Sequence, residues 1–225
     1  MTAPRIAIVD YGAGNLVSIG RALETVGAAV TIVRDPAELE PVDALVVPGV
    51  GAAAPAMARL ERYGLATPIR SWIESGRPFL GICLGLQLLY DGSDEDGAET
   101  LAVLGGRTVA LRDAPTLPHI GWNQVEQRRP HPLLEGVPDA ADLYFVHSFV
   151  VAPTDRTTVV AETVHGSAFP SVIASDNVLG VQFHPERSGA DGLRILANFV
   201  AWAAPAGHAA GRPLGRQAAT VGGPG

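Results

Sequence analysis

The most informative stretch of this chain is FLGICLG, at residues 79–85. Its apolar first half predicts a buried strand, and a helix is predicted to begin near Leu84. Cys83 therefore stands in a G-x-nucleophile-x-G turn, with Cys where this motif more often has Ser. Glycines at 81 and 85 suit so tight a turn, because side chains at either position would clash. A buried structural cysteine at a glycine-rich strand end would show the same seven residues.

Apolar runs before and after this stretch extend the pattern. In the first half of the chain, predicted strands at 6–9, 30–33, 44–47 and 78–82 alternate with predicted helices at 16–26, 53–63 and 68–74. This alternation predicts an α/β fold whose mostly parallel central sheet is covered by helices on both faces. After residue 97, strand-like segments follow one another closely at 102–111, 119–125, 143–151, 157–162, 172–174 and 178–184. They predict an antiparallel or mixed extension of the same sheet, closed by a helix at 189–203.

Composition bounds the class of protein. The chain has 225 residues, a formal net charge of −7 and 47% hydrophobic residues, which excludes wholesale disorder and argues against a nucleic-acid binder. No apolar run is long enough to span a membrane, no signal segment opens the chain, and one cysteine forbids an internal disulfide. We therefore expect a cytoplasmic protein. We also expect one domain at 1–204, followed at 205–225 by a disordered tail rich in Gly, Ala and Pro.

A thiolate nucleophile at Cys83 requires a base, and the base requires a group that orients it. Of the six histidines, three fall in the predicted tail, a loop or a turn, which leaves His119, His147 and His184. His184 ends a predicted strand, at the edge where α/β proteins place their ligands. Glu186, two residues further on, could accept the imidazole N–H and fix its tautomer.

Two glycine-rich loops also follow predicted strands. The first, GAGN at 12–15, lacks the third glycine of a dinucleotide fingerprint, because Val17 occupies that position. The second, PGVG at 48–51, could present a backbone N–H to an oxyanion beside the N–H of Leu84. Both loops are equally compatible with ordinary strand-to-helix turns.

These segments together resemble a known family. GICLGLQLL at 81–89 and GVQFHPE at 180–186 are similar to the class I (triad) glutamine amidotransferases. DYGAGN at 10–15, PGVG at 48–51, PHIGWN at 118–123 and YFVHS at 144–148 resemble the glutaminase subunits of imidazole glycerol phosphate synthase. The resemblance extends from the first strand to about Trp202.

The resemblance implies a reaction: hydrolysis of L-glutamine to glutamate and ammonia, without a metal or an organic cofactor. Cys83 would be the nucleophile, His184 the acid and base, and Glu186 the group that orients His184. The oxyanion would be held by Leu84 and by the backbone of Gly49, Val50 and Gly51. Gln87 and Ser148 would bind the amino-acid end of glutamine.

The resemblance also implies a partner, a (β/α)₈-barrel cyclase subunit that uses the ammonia to make imidazole glycerol phosphate and an aminoimidazole carboxamide ribonucleotide in histidine biosynthesis. Trp122 would insert into this partner, and Asn15 would make a polar contact near the ammonia gate. Arg187 stands where the family usually has Lys, and it keeps the charge for a salt bridge across the interface.

Three alternatives remain open at this point. The chain could be the glutaminase subunit of another amidotransferase, such as one for pyridoxal phosphate or anthranilate synthesis. It could be a cysteine hydrolase of the α/β-hydrolase fold, although the acidic residue of those enzymes precedes the histidine in the chain. It could also be a non-catalytic scaffold subunit of the same fold, against which the intact Cys83, His184 and Glu186 argue.

Overall fold

Four parallel strands form the first half of the central sheet in the computed structural model, which describes residues 3–204; the predicted tail at 205–225 lies outside them. They are β1 (Arg5–Val9), β2 (Ala29–Val33), β3 (Ala44–Gly49) and β4 (Phe79–Cys83). Their order is β2-β1-β3-β4, and every neighbouring pair is parallel. The predicted parallel core is therefore confirmed.

Helices cover both faces of this sheet, as the alternation predicted. They are α1 (Leu16–Thr25), α2 (Ala53–Arg62), α3 (Ala66–Glu74), α4 (Leu84–Gln87) and α5 (Gly189–Ala203). Ile6 and Ile8 of β1 belong to the apolar cluster that contains α1 and α5, whereas Ala7 and Val9 belong to the cluster that contains α2 and α3. A strand buried on both faces is apolar throughout for this reason. Within residues 3–204, no helix has the length and hydropathy needed to cross a membrane.

The second half of the chain adds eight strands. They are β5 (Gly92–Ser93), β6 (Gly106–Ala110), β7 (His119–Gln127), β8 (Ala141–His147), β9 (Phe149–Pro153), β10 (Val159–His165), β11 (Ser167–Ser175) and β12 (Val178–Val181). Five of them extend the central sheet in the order β12-β11-β10-β7-β8, with antiparallel pairing throughout the extension. The predicted antiparallel extension is confirmed.

Two details of the prediction for this half were wrong. The segment 143–151 is two strands rather than one, because the chain breaks at Ser148 between β8 and β9. β8 stays in the central sheet, whereas β9 joins β5 and β6 in a separate three-stranded sheet. Both strands are apolar enough to read as one run, and only their different sheet partners separate them.

The pairing of β12 with β4 determines where the candidate site lies. β12 pairs with β4 in parallel, with Val181 opposite Ile82. The residues that follow β12 therefore emerge beside the residue that follows Ile82, which is Cys83. This pairing joins two segments about one hundred residues apart at one edge of the sheet, where parallel α/β sheets place their ligands.

Candidate active site

Cys83 occupies a strained turn at the end of β4. Its φ of 54° and ψ of −109° lie outside the regions that non-glycine residues ordinarily adopt, and only 4% of the residue is exposed. A Cβ on Gly81 would lie 2.6 Å from the carbonyl oxygen of Gly85, and a Cβ on Gly85 would overlap the carbonyl oxygen of Val47. Both flanking glycines are thus required by close backbone approach, as the sequence predicted.

We expect Gly85→Ala to destabilise the protein by about 3 kcal/mol or more, because the Val47 carbonyl belongs to a central strand that cannot move away easily. Gly105→Ala is the matched control, since its new Cβ would meet only the Thr154 side chain at 3.7 Å. Urea unfolding of both variants measures the difference. Equal stabilities would show that the turn relaxes around an added methyl group.

His184 lies in the turn after β12, where its orientation is fixed from several sides. Its Nδ1 donates to Oε1 of Glu186 at 2.9 Å. Its backbone N–H donates to the Tyr144 carbonyl at 2.8 Å, and its own carbonyl accepts from the Ser188 hydroxyl at 2.6 Å. The bond to Glu186 places the proton on Nδ1, which leaves Nε2 as the nitrogen available for proton transfer.

The electrostatics of His184 favour its protonated form. Burial is the largest single influence on its pKa and lowers it, but hydrogen bonding and charge from Cys83 and Glu186 together outweigh burial and raise the pKa of His184 to about 10. Nε2 is buried and has no hydrogen-bond partner of ordinary geometry within residues 3–204. The structure thus brings Cys83, His184 and Glu186 together, although the first two are far apart in the chain.

Gln182 is a contact of the sulfur that sequence reasoning missed. Its Nε2 donates to Sγ of Cys83 at 3.6 Å, and the sulfur itself lies 3.9 Å from the Val146 carbonyl oxygen. A donor aimed at the sulfur favours the thiolate over the neutral thiol. The available signal was its position two residues before His184.

A cleft of about 200 Å³ opens beside Cys83. Of the predicted substrate residues, Gly51, Leu84, Gln87 and Ser148 line this cleft together with Cys83. Gly49 lies opposite Cys83 in the β3–β4 pairing but does not line the cleft, and Val50 is half exposed. The predicted set is therefore close together, with Gly51 nearer to the cleft than its two neighbours.

The Tyr11 side chain stabilises the backbone next to the predicted oxyanion segment, residues 49–51. Its hydroxyl donates to the carbonyl oxygen of Pro48 at 2.7 Å, and burial raises the Tyr11 pKa far above its ordinary range, so that the phenol stays protonated. A Cβ on Gly49 would overlap this hydroxyl. Gly49 is thus needed for the approach of Tyr11 and Leu84 as much as for its own flexibility.

Gln87 has both N–H groups of its amide engaged within the protein. Nε2 donates to the Phe149 carbonyl at 2.9 Å and to Oε1 of Gln182 at 3.2 Å. The carbonyl oxygen of the Gln87 side chain is therefore the atom with which this residue can meet a ligand in the cleft.

Glu95 also lines the cleft, and the sequence analysis did not predict it as a site residue. Burial, and to a lesser degree the neighbouring Asp96, raise the pKa of Glu95. A carboxylate in the wall of a cleft can provide the counter-charge for a ligand ammonium group. It lies in the acidic run Asp94-Glu95-Asp96, in which no spacing distinguishes one carboxylate from the others.

The residues predicted to meet a partner lie at the surface. Trp122 is 56% exposed and contacts the Tyr144 ring edge-on, with centroids 6.2 Å apart. The Arg187 guanidinium lies 4.1 Å from the centroid of the same Tyr144 ring. Asn15 is exposed, but its side chain also accepts from the Ser18 N–H and so caps α1. Their roles toward a partner stay predictions.

Comparison with known proteins agrees with this geometry. The sequence model of the family "Glutamine amidotransferase class-I" matches residues 7–202. The chain is similar to "Imidazole glycerol phosphate synthase subunit HisH" of Thermosynechococcus vestitus, with 48% identity over 89% of this chain and 98% of that one. It is also similar to the protein of that name from Desulfitobacterium hafniense, with 45% identity over 88% of this chain and 94% of the other.

Solved structures support the fold alone, because their sequences are only distantly similar. A chain of PurLQS from Thermotoga maritima superposes with a TM-score of 0.72 at 21% identity, covering 88% of this chain and 98% of that one. A crystal structure of a glutamine amidotransferase gives a TM-score of 0.70 at 22% identity, again covering 88% and 98%. On the family match and the HisH relatives together, the chain belongs to the class I glutamine amidotransferases and, within them, to the HisH family.

Proposed function

We propose that this chain hydrolyses L-glutamine with the triad of Cys83, His184 and Glu186 and delivers the ammonia to a (β/α)₈-barrel cyclase, with which it forms imidazole glycerol phosphate synthase. The observation that carries the proposal is the bonded His184–Glu186 pair beside Cys83 at the edge of a cleft. Residues 1–204 form the working unit, and the cytoplasm keeps its single cysteine reduced.

The chemistry follows from the positions of these groups. The Cys83 sulfur attacks the side-chain amide carbon of glutamine, and the electron pair of the carbonyl moves onto its oxygen. We assign the binding of that oxygen to the N–H of Leu84, at the first position of α4, and to the backbone of the 49–51 segment, of which Gly51 lines the cleft. His184 then gives a proton to the departing nitrogen, which leaves as ammonia and yields a thioester.

The second half of the reaction uses the same ring in the opposite direction. His184, now neutral, takes a proton from water as the water attacks the thioester carbon. The Cys83–carbon bond breaks, the sulfur regains its electron pair, and glutamate leaves. Glu186 holds Nδ1 throughout, so that Nε2 exchanges protons without the ring turning.

We assign the binding of the amino-acid end of glutamine to cleft residues other than Cys83. The carbonyl oxygen of Gln87 and the carboxylate of Glu95 are acceptors for the α-ammonium group. Ser148, in the break between β8 and β9, offers a hydroxyl to the α-carboxylate. No step in this scheme needs a metal ion or an organic cofactor.

The cyclase is assigned to the exposed apolar surface around Trp122. Ile120 and Trp122 project from β7 with 60% and 56% exposure, and Val164 on neighbouring β10 is also exposed. Patches of this kind with an aromatic centre mark protein interfaces. Arg187 on the Tyr144 ring supplies a positive charge at the rim.

A reconstitution experiment tests the whole proposal. The purified chain is mixed with the cyclase of the same organism, and glutamine-dependent formation of imidazole glycerol phosphate is followed together with glutamate. We expect one glutamate for each product molecule, and no glutamine-dependent product from either protein by itself. Complex formation with a different ammonia acceptor, and none with the cyclase, would overturn the assignment of the partner.

Trp122→Ala is expected to weaken association with the cyclase about thirtyfold, equivalent to about 2 kcal/mol, because a central interfacial Trp contributes on this scale. Isothermal titration measures the affinity, and counting glutamate against product detects ammonia that escapes from the loosened junction. Ile32→Ala, an exposed apolar residue on β2 at the opposite edge of the sheet, is the control. An unchanged affinity with a collapsed Tm would make Trp122 a structural residue instead.

A further inference from the structure

Two buried histidines that the proposed mechanism does not use lie between the cleft and the exposed Trp122 surface. His119 begins β7 and His147 ends β8, and the two residues are paired across the strands. Nδ1 of His119 lies 3.0 Å from Nε2 of His147, and both residues are buried. Polar side chains buried in this way need a full set of partners.

The partners at each end fix the direction of every hydrogen bond. The Phe149 carbonyl can only accept, so His147 donates to it from Nδ1 at 3.1 Å. Nε2 of His147 is then an acceptor and receives the Nδ1 proton of His119. Nε2 of His119 in turn accepts from the Asn123 amide at 3.1 Å, and that amide also donates to the Val164 carbonyl. The donors therefore run in one direction from Asn123 to Phe149.

Both rings must be neutral for this arrangement. Burial, with a smaller contribution from His165, lowers the pKa of His119 to about 4, and burial followed by His119 lowers the pKa of His147 to about 3. The His119 ring stacks on Phe145 and His165, with centroids 4.9 Å and 4.0 Å apart. The pair is thus held in one protonation state and one orientation.

His147, which lines the cleft, connects the pair to the proposed glutamine site. The Phe149 carbonyl accepts from His147 and also from Gln87, whose amide continues to Gln182 and from there to the Cys83 sulfur. His147, Ser148 and Phe149 all line the cleft. Movement of His147 would therefore shift Ser148 directly and release one anchor of Gln87.

We propose that His119 and His147 are a positioning pair that holds the 147–149 turn, and with it Ser148 and Gln87, in the geometry that binds glutamine. The pair acts through the Phe149 carbonyl and has no direct part in proton transfer. The Phe149 carbonyl places the proton of His147 on Nδ1, and the proton that His119 donates stabilises the same tautomer by occupying the lone pair on Nε2. The inference rests on the proposed glutaminase function.

Two substitutions at His147 distinguish its hydrogen bond to Phe149 from its hydrogen bond to His119. In His147→Asn the side-chain amide can replace the Nδ1 donor to Phe149, whereas in His147→Gln the amide reaches the Nε2 position and the donor to Phe149 is lost. We expect His147→Gln to raise the KM for glutamine about tenfold with a smaller change in kcat, and His147→Asn to stay within about threefold of wild type. The assay uses the complex with the cyclase, and Tm is measured for both variants.

Variants of His119 repeat the comparison one residue further from the cleft. The amide of His119→Asn can replace Nδ1 as the hydrogen-bond donor to His147, whereas the amide of His119→Gln cannot. We therefore expect only His119→Gln to raise the KM for glutamine. The ¹⁵N shifts of His147 report its tautomer, and we expect a second tautomer to be populated in His119→Gln alone. This NMR measurement tests the proposal even if the His147 variants do not fold.

The outcomes are distinguishable. If wild type hydrolyses glutamine and the Asn and Gln variants at each position have equal KM values, the pair only fills space and the inference is wrong. If the tautomer of His147 is unchanged in His119→Gln, the role of His119 is also wrong. If wild type itself does not hydrolyse glutamine with the cyclase, the proposed function fails and this inference fails with it.

Discussion

Cys83→Ala is expected to abolish glutamine-dependent synthesis, with a loss on the order of 10⁴-fold or more, because no other described residue at the cleft can form the thioester. The fold should survive, since Ala occupies less volume and meets the same backbone strain at φ 54°. Product formation by the complex from added ammonium salt should persist, because the proposed cyclase needs only ammonia. Parallel assays with glutamine and with ammonium salt measure both activities.

Two controls make this result specific to the sulfur. Titration with the cyclase should give the same affinity as wild type, because Cys83 is buried whereas the proposed interface around Trp122 is exposed. Urea unfolding should show a loss of less than about 2 kcal/mol for so small a change in volume. Glutamine-dependent turnover at the wild-type rate would remove Cys83 from the reaction.

His184→Ala is expected to reduce glutamine hydrolysis by about 10³-fold or more, and Glu186→Gln by a factor about ten to one hundred times smaller. The ring supplies the proton in one half of the reaction and removes it in the other, whereas the carboxylate exchanges no proton with the substrate and acts only through the ring. Turnover of each single variant in the complex gives the comparison. Equal losses for the two variants would mean that Glu186 does more than orient His184.

The pKa of His184 provides an independent check on the same pair. Glu186 raises this pKa through its hydrogen bond and its charge, and Cys83 raises it in the same way. Removal of either group takes away a raising influence, so the His184 pKa should fall in both Glu186→Gln and Cys83→Ala. NMR titration of the imidazole measures the shift. Exposed Glu24 on α1 provides the matched Glu→Gln control.

Much of the fold and the triad could be predicted from the sequence because their signals are local. An apolar run predicts a strand that is buried on both faces, and the glycines at 81 and 85 indicate a turn that no side chain fits. His184 and Glu186 are two residues apart in one turn, so their hydrogen bond needs little beyond the local backbone. The resemblance to the family rests on these same short segments.

Contacts between residues that are distant in the chain depend on the tertiary structure. The parallel pairing of β12 with β4 carries His184 and Gln182 to Cys83, and no periodicity within β12 indicates the strand beside which it inserts. The same applies to the break at Ser148, to Glu95 in the cleft and to the His119–His147 pair. Strand pairing is selected by the burial of whole faces and by the satisfaction of backbone hydrogen bonds across the sheet, whereas sequence patterns report only which face of a segment is apolar.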